Sequence, residues 1–155
     1  MRIITINVNG IRSAQRKGFF TWLEAQDADV ICVQETKAQV DQLSDPVFHP
    51  AGYHCFYYDA EKKGYSGTAI YARQKPDKIT RGLGWDPCDS QARYLQADFP
   101  GISVISMYVP SGSSNDEALA RKLDFHDRIM PHFKALRRKR REFVICADWN
   151  TCHKP

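Results

Sequence analysis

The chain has no apolar run long enough to span a bilayer; its hydrophobic stretches are only a handful of residues each. Its opening, Met1 to Ile6, turns polar at Asn7 before a signal-peptide core could form. A soluble, cytoplasmic protein with no membrane partner is therefore expected. Five cysteines (Cys32, Cys55, Cys88, Cys146, Cys152) make an odd set with no C-x-x-C pair, so reduced thiols are expected rather than a disulfide framework. Cys146, Cys152 and His153 lack a fourth ligand at suitable spacing, and Cys146 falls in a predicted strand, which argues against zinc. Neither G-x-G-x-x-G nor G-x-x-x-x-G-K-[ST] occurs, and the usual cradles of dinucleotide and triphosphate binders are thereby excluded. Repeats, low-complexity segments and dividing linkers are also missing. With 43% hydrophobic residues among 155, the chain can form one core, as one domain or part of a larger one.

What is present is a set of four short apolar runs that each end on a polar group. They are Arg2 to Asn7, Val30 to Glu35, Val104 to Tyr108, and Phe143 to Asp148 with Asn150 just beyond. Runs rich in Val and Ile read as strands covered on both faces, so polar chemistry is cheap to expose only at their ends. If those ends share one rim, Asn7, Glu35, Tyr108, Asp148 and Asn150 converge. Such a mixture suits a hard divalent cation and a phosphate: carboxylates for the metal, neutral donors for phosphate oxygens, and one carboxylate to orient a water.

The pattern between these runs predicts a helix from about Ile11 to Gln26 with Phe19, Trp22 and Leu23 on one face, and a short helical piece near 39–43. Further β segments are expected around 53–58, 67–73, 94–99 and 102–109, the last two as a hairpin across Pro100-Gly101. Ser114 to Glu117 reads as a capping box for a long helix with Leu119, Leu123, Met130, Phe133 and Leu136 at helical spacing and a bend at Pro131. Helix crossovers together with hairpins argue for mixed sheets in an α/β sandwich.

The net charge of +4 is uneven, because residues 121 to 141 hold nine Lys or Arg against Asp124 and Asp127. The run Arg137 to Arg141 reads as a solvated helix end favoured by the helix dipole, with a nucleic-acid or targeting patch as the alternative. Lys62 to Gly67 puts cations, backbone N–H groups, a hydroxyl and an aromatic on one loop; that suits a sugar-phosphate backbone, and it equally suits an ordinary hairpin turn.

Taken in order, Asn7-Val8-Asn9-Gly10-Ile11-Arg12, Val33 to Lys37, Lys62 to Gly67, Tyr108-Val109-Pro110 and Ala147-Asp148-Trp149-Asn150 resemble the exonuclease III-like apurinic endonucleases from Met1 to the last residue. That family lies in the endonuclease/exonuclease/phosphatase superfamily. The resemblance implies a DNase I-like four-layer α/β sandwich with two mixed sheets packed face to face. It implies a Mg²⁺-dependent DNA repair enzyme, with Mn²⁺ as substitute, that cuts double-stranded DNA 5′ to abasic sites and trims 3′ ends. It also implies Glu35 as metal carboxylate with Asn7 beside it, Tyr108 on the scissile phosphate, Asp148 orienting or deprotonating water, and Asn150 holding a phosphate oxygen. Lys37 would tune a neighbouring carboxylate, and Lys63, Gly64, Tyr65, Arg93 and Ser111 would meet the DNA. His126, His132 and His153 receive no catalytic role.

Ser111 stands where the family commonly has Asn, and Ala147 where it commonly has Gly. The family also continues beyond the Asp148 motif with an Asp, a Trp at the abasic pocket and an Asp-His pair that have no counterpart here. Residues 1–155 are accordingly expected to be the N-terminal part of a single domain, with most of the second sheet and the C-terminal half missing, and to be inactive alone. The competing reading is a non-catalytic regulator. The catabolite repression control proteins resemble the same region, including Gly82-Leu83-Gly84 and the basic run before Glu142, and act through RNA and protein partners. Inositol-phosphate and sphingolipid phosphoesterases are a third possibility, less similar at Asn7 to Ile11 and at Lys62 to Gly67.

Overall fold

The computed structural model describes residues 1–151; Cys152 and His153, and with them the zinc reading, lie outside the described residues. Strands β1 (Ile3–Asn7), β2 (Val30–Gln34), β3 (His54–Tyr58) and β4 (Thr68–Ala72) form one sheet in the order β1-β2-β4-β3. Strands β5 (Lys78–Arg81), β6 (Tyr94–Phe99), β7 (Ile102–Tyr108) and β8 (Glu142–Asp148) form a second in the order β5-β6-β7-β8. The expectation that most of the second sheet would be missing is therefore wrong. Four of its strands come from this chain, one of them (β5) too short and too polar to stand out in the sequence.

Parallel pairing occurs once in each sheet, between β1 and β2 and between β7 and β8. Parallel neighbours need a crossover, and helices supply it: α1 (Ile11–Arg16) and α2 (Phe19–Glu24) in the first case, α3 (Asp116–Leu136) in the second. Each crossover covers the outer face of its own sheet. The two-residue periodicity of the strands then sorts side chains into three cores between four layers. Ile31 and Val33 point from β2 toward Ile11, Phe20 and Leu23; Val30 and Cys32 point the other way, to Leu95, Ala97, Val104 and Cys146; and Ile105 and Met107 leave β7 toward Phe125, Ile129 and Leu136. Full burial of each large apolar side chain contributes roughly 1.5–3 kcal/mol. The central strands β2 and β4 are buried along their whole length, while β1 and β8 are half-buried free edges.

Several local expectations are corrected. The helix foreseen over Ile11 to Gln26 is two short helices, broken where Gly18 takes a left-handed conformation (φ 85°). The N-cap of α3 is Asn115, whose side chain accepts from Ala118 N at 2.8 Å, one residue past the foreseen capping-box serine. Its buried stripe runs through Ala118, Phe125, Ile129 and Leu136, whereas Leu119, Leu123 and Met130 face outward. The four cysteines among the described residues are free, and no helix there is long and apolar enough to cross a membrane.

Beneath α3 a polar chain runs from His132 Nε2 to the Tyr94 hydroxyl at 3.0 Å, on to Gln96, and from the Gln96 amide to Asp98 at 2.7 Å. Burial, and then the nearby Lys139 ammonium, push the His132 imidazole below its ordinary value. The unfolded chain takes up this proton first as pH falls. The resulting stabilisation is complete above about pH 6.5 and is lost as pH drops through that value toward the folded-state one. Thermal melting between pH 8 and pH 5 should show this decline, and His132→Gln should flatten the part of it due to this residue.

Candidate active site

The two parallel pairs set side by side the carboxyl ends of β1 with β2 and of β7 with β8, in the registers Asn7 with Gln34 and Tyr108 with Asp148. Face-to-face packing of the sheets joins these pairs into one rim. Gln34 bridges the sheets just below it, its buried amide donating to Ser106 Oγ at 3.1 Å, while Ser106 Oγ donates to Val33 O at 3.0 Å. These two residues are polar intrusions in otherwise apolar runs, and sequence reasoning passed over them as structural ties.

At the rim the Asn7 amide nitrogen donates to Glu35 Oε1 at 2.8 Å and to Asp148 Oδ2 at 2.7 Å. The two carboxylates thus sit within the reach of a single amide. Asn7 Oδ1 accepts from the Asn9 backbone N–H at 2.9 Å, which fixes the amide's direction. With its nitrogen toward the acids and its oxygen engaged behind, Asn7 orients both carboxylates. Lys37 Nζ lies 2.7 Å from Glu35 Oε2 and also donates to Asn9 Oδ1. Partial burial alone would raise the Glu35 carboxyl, but hydrogen bonds from Lys37, Asn7 and Tyr108, with the Lys37 charge, outweigh it and hold the group below its ordinary value. Burial, and then the Glu35 carboxylate, push the Tyr108 phenol well above its ordinary value, so near neutrality it is a hydrogen-bond donor. Asp148 Oδ1 accepts from Asn150 N at 3.0 Å, and the Asn150 side-chain amide donates to Val109 O at 2.8 Å.

Backbone strain collects at the same place. Asn9, Glu35, Lys37, Ser66 and Asn150 all have φ between 45° and 55°, a region that asparagine tolerates and that is costly for Glu35, Lys37 and Ser66. Hydrogen bonds hold the turn there. Glu35 O and Thr36 O accept from Gly10 N and Ile11 N at 2.7 and 2.8 Å, while Thr36 N and Lys37 N donate to Gly67 O and Ser66 O at 3.2 and 2.9 Å. Glu35 is thus stitched on one side to the first βα turn and on the other to the Lys62–Gly67 loop.

Of the expected DNA contacts, Lys63, Gly64 and Tyr65 are exposed on that loop, and Ser111 is exposed just beyond Tyr108 with its hydroxyl 3.0 Å from Ser113 Oγ. Arg93 is a correction. It is only 2% exposed, and its guanidinium donates to Gln91, Tyr108 O and the Tyr65 hydroxyl, so it lies beneath the surface and cannot lie along a backbone. Sequence reasoning also missed a basic hollow beside Asn9 lined by Gly10, Arg12, Ser13, Arg16 and Lys37; the four-residue spacing of Arg12 and Arg16, on one helix face, was the available signal. The Gly82-Leu83-Gly84 element, foreseen as a possible regulator feature, is wrapped around Asp89, which accepts from Leu83 N and Gly84 N at 2.7 and 2.8 Å. One cation of the basic run, Arg141, reaches back to Phe99 O and Ile102 O.

Gly67 combines a positive φ of 88° with a position where a Cβ would meet Thr36 Oγ1 at 2.3 Å. Gly67→Ala should therefore destabilise the fold by about 1–3 kcal/mol, read by chemical denaturation, with the loss of native signal beginning at the Glu35–Lys37 turn in hydrogen exchange.

Comparison with known proteins agrees with this geometry. The model of the Endonuclease/Exonuclease/phosphatase family matches residues 4–155. The chain is 33% identical to the exodeoxyribonuclease of Bacillus subtilis over 154 residues, covering 99% of this chain and 60% of that protein. It is 32% identical to the DNA repair nuclease APEX1 of Danio rerio, covering 99% of this chain and 50% of the relative. An AP endonuclease structure from Archaeoglobus fulgidus superposes with a TM-score of 0.85 at 33% identity, over 98% of this chain and 58% of that one. The chain thus spans between half and three-fifths of the length of these relatives. With two stacked mixed sheets, one rim of converging strand ends and a family match over almost every residue, this chain belongs to the endonuclease/exonuclease/phosphatase family.

Proposed function

We propose that the chain carries the phosphate-facing part of a DNA repair nuclease, which in its complete form hydrolyses phosphodiesters 5′ to abasic sites and processes 3′ ends of double-stranded DNA. The observation that carries this reading is the Asn7 amide shared by Glu35 and Asp148, with the Tyr108 phenol beside Glu35. The donor set suits a hard cation. Mg²⁺ is commonly bound through one or two carboxylates, with water and phosphate oxygens completing its shell, and Glu35 and Asp148 within reach of one amide offer such oxygens. Glu35 would hold the ion, with Mn²⁺ as a substitute. When bound, it would neutralise charge building on the phosphate oxygens.

The chain's own residues divide the remaining work. Asn7 keeps the two carboxylates oriented, and Tyr108 would turn its one proton from Glu35 to a phosphate oxygen when the ester is bound. Asn150 retains a second amide N–H for another oxygen, while Asp148 accepts from a water aimed at phosphorus. Preorganised donors of this kind each contribute on the order of 10²-fold in rate. Lys37 keeps Glu35 ionised. Arg12, Arg16, Lys62 and Lys63, with the Tyr65 ring, supply cations and a stacking face along which a DNA backbone could run.

The test is nicking of a duplex with one abasic site in Mg²⁺, comparing this chain with a version extended to the relatives' length. The extended protein should cut, and Glu35→Gln or Asp148→Asn should each lower the rate by at least about 10²-fold while the protein remains folded at the assay temperature. The 155-residue chain should cut little or not at all. Cleavage by the extended protein that ignores both substitutions would refute the assignment.

A further inference from the structure

Arg93 is among the largest fully buried side chains of the described residues, and no carboxylate there pairs with it. An arginine stays charged in any protein environment, and a buried charge without a counter-ion is strongly destabilising unless its surroundings compensate. The compensation here comes from neutral groups. Nε donates to Gln91 Oε1 at 2.7 Å, Nη1 to Tyr108 O at 2.9 Å and Nη2 to the Tyr65 hydroxyl at 2.9 Å. The guanidinium carbon also lies 4.8 Å from the Tyr108 ring centroid and 5.8 Å from that of Tyr65, close enough for attraction to both π faces. The main chain adds a further tie, because Tyr108 N donates to Arg93 O at 2.9 Å. One residue therefore holds the Tyr108 peptide from both sides and reaches the only polar atom of the Tyr65 side chain.

We propose that Arg93 is a positioning residue that yokes the exposed Tyr65 loop to the Tyr108 strand end, so that both phenol-bearing elements meet a DNA backbone as one rigid unit. This rests on the proposed function for its ligand, though not for its geometry. The planar fork is essential to it, since three acceptors in different directions are met at once and a lysine ammonium on a flexible stem cannot reproduce them. Gln91 and Ala92 prepare the approach: Ala92 sits at φ 49°, a strained value that turns the chain just before Arg93.

Two measurements on the 155-residue chain test the proposal. In the first, ring ¹³C NMR signals of the tyrosines are compared without DNA. Arg93→Lys should move the Tyr65 and Tyr108 signals together and leave those of Tyr57 and Tyr71, in the core under α2, in place. Tyr65→Phe, a milder change on an exposed loop, should likewise move the Tyr108 signal through Arg93, and it serves if Arg93→Lys does not fold. A Tyr108 signal indifferent to both substitutions overturns the proposal. In the second, affinity for a duplex bearing an abasic-site analogue is read by fluorescence anisotropy. Each single variant should weaken binding by about tenfold, and the double variant no further, because both break one unit. Effects that multiply in the double variant also overturn it. If neither the unsubstituted chain nor its version extended to the relatives' length binds the duplex, the proposed DNA function fails, while the ring signals still decide the role of Arg93.

Discussion

Two carboxylates held at one rim repel each other, and the site depends on how that repulsion is met. At a separation of roughly 5 Å and an effective dielectric near 20, two like charges oppose each other by about 3 kcal/mol. A hydrogen bond to a charged group returns about 1.5–3 kcal/mol. The Asn7 amide donates to Glu35 and Asp148 at once, and the Lys37 ammonium adds a full positive charge on the far side of Glu35. The balance is close to even without any other cation, so the two side chains can share one rim while their oxygens still face outward. Asn7 can do this only because β1 is parallel to β2 and the two sheets lie face to face with their carboxyl ends at the same side.

That arrangement follows from chain topology more than from any one contact. Each sheet contains one βαβ crossover, and each crossover sets two strand ends together while laying its helices over the outer face. Stacking the sheets brings the two sets of ends together, in the way that ligands of open α/β sheets gather beyond the carboxyl ends of parallel strands. Gln34 and Ser106 tie the sheets just beneath this point with buried hydrogen bonds, where an apolar pair would have packed without fixing their register.

Much of this was legible in the amino acids because burial and chemistry coincide in the strand runs. Val30 to Glu35 reads as a covered strand ending in a polar group, and that is what it is, with Glu35 at the rim. Asn7, Tyr108, Asp148 and Asn150 arrive there for the same reason. Backbone geometry was harder to see. Nothing in Glu35-Thr36-Lys37 announces two left-handed residues, since they are stabilised by Gly10, Ile11, Ser66 and Gly67 from elsewhere in the chain. The burial of Arg93 was hidden because arginine is ordinarily a surface residue, and its acceptors are a backbone carbonyl, a phenol and an amide that sequence spacing cannot associate with it. On α3 the apolar residues Leu119, Leu123 and Met130 keep helical spacing as well as the buried ones do, so periodicity alone could not choose the face.

The left-handed residues at the rim set a trade-off for anyone who would stabilise this molecule. Glycine or asparagine at Glu35 or Lys37 would suit the local backbone better than the native side chains, and a search guided by stability alone would select them. Each such gain would delete a charge from a rim where Glu35, Asp148 and Lys37 have been brought together. Backbone ease and the charge of the rim are here in direct competition at single positions, and the native chain keeps the charge.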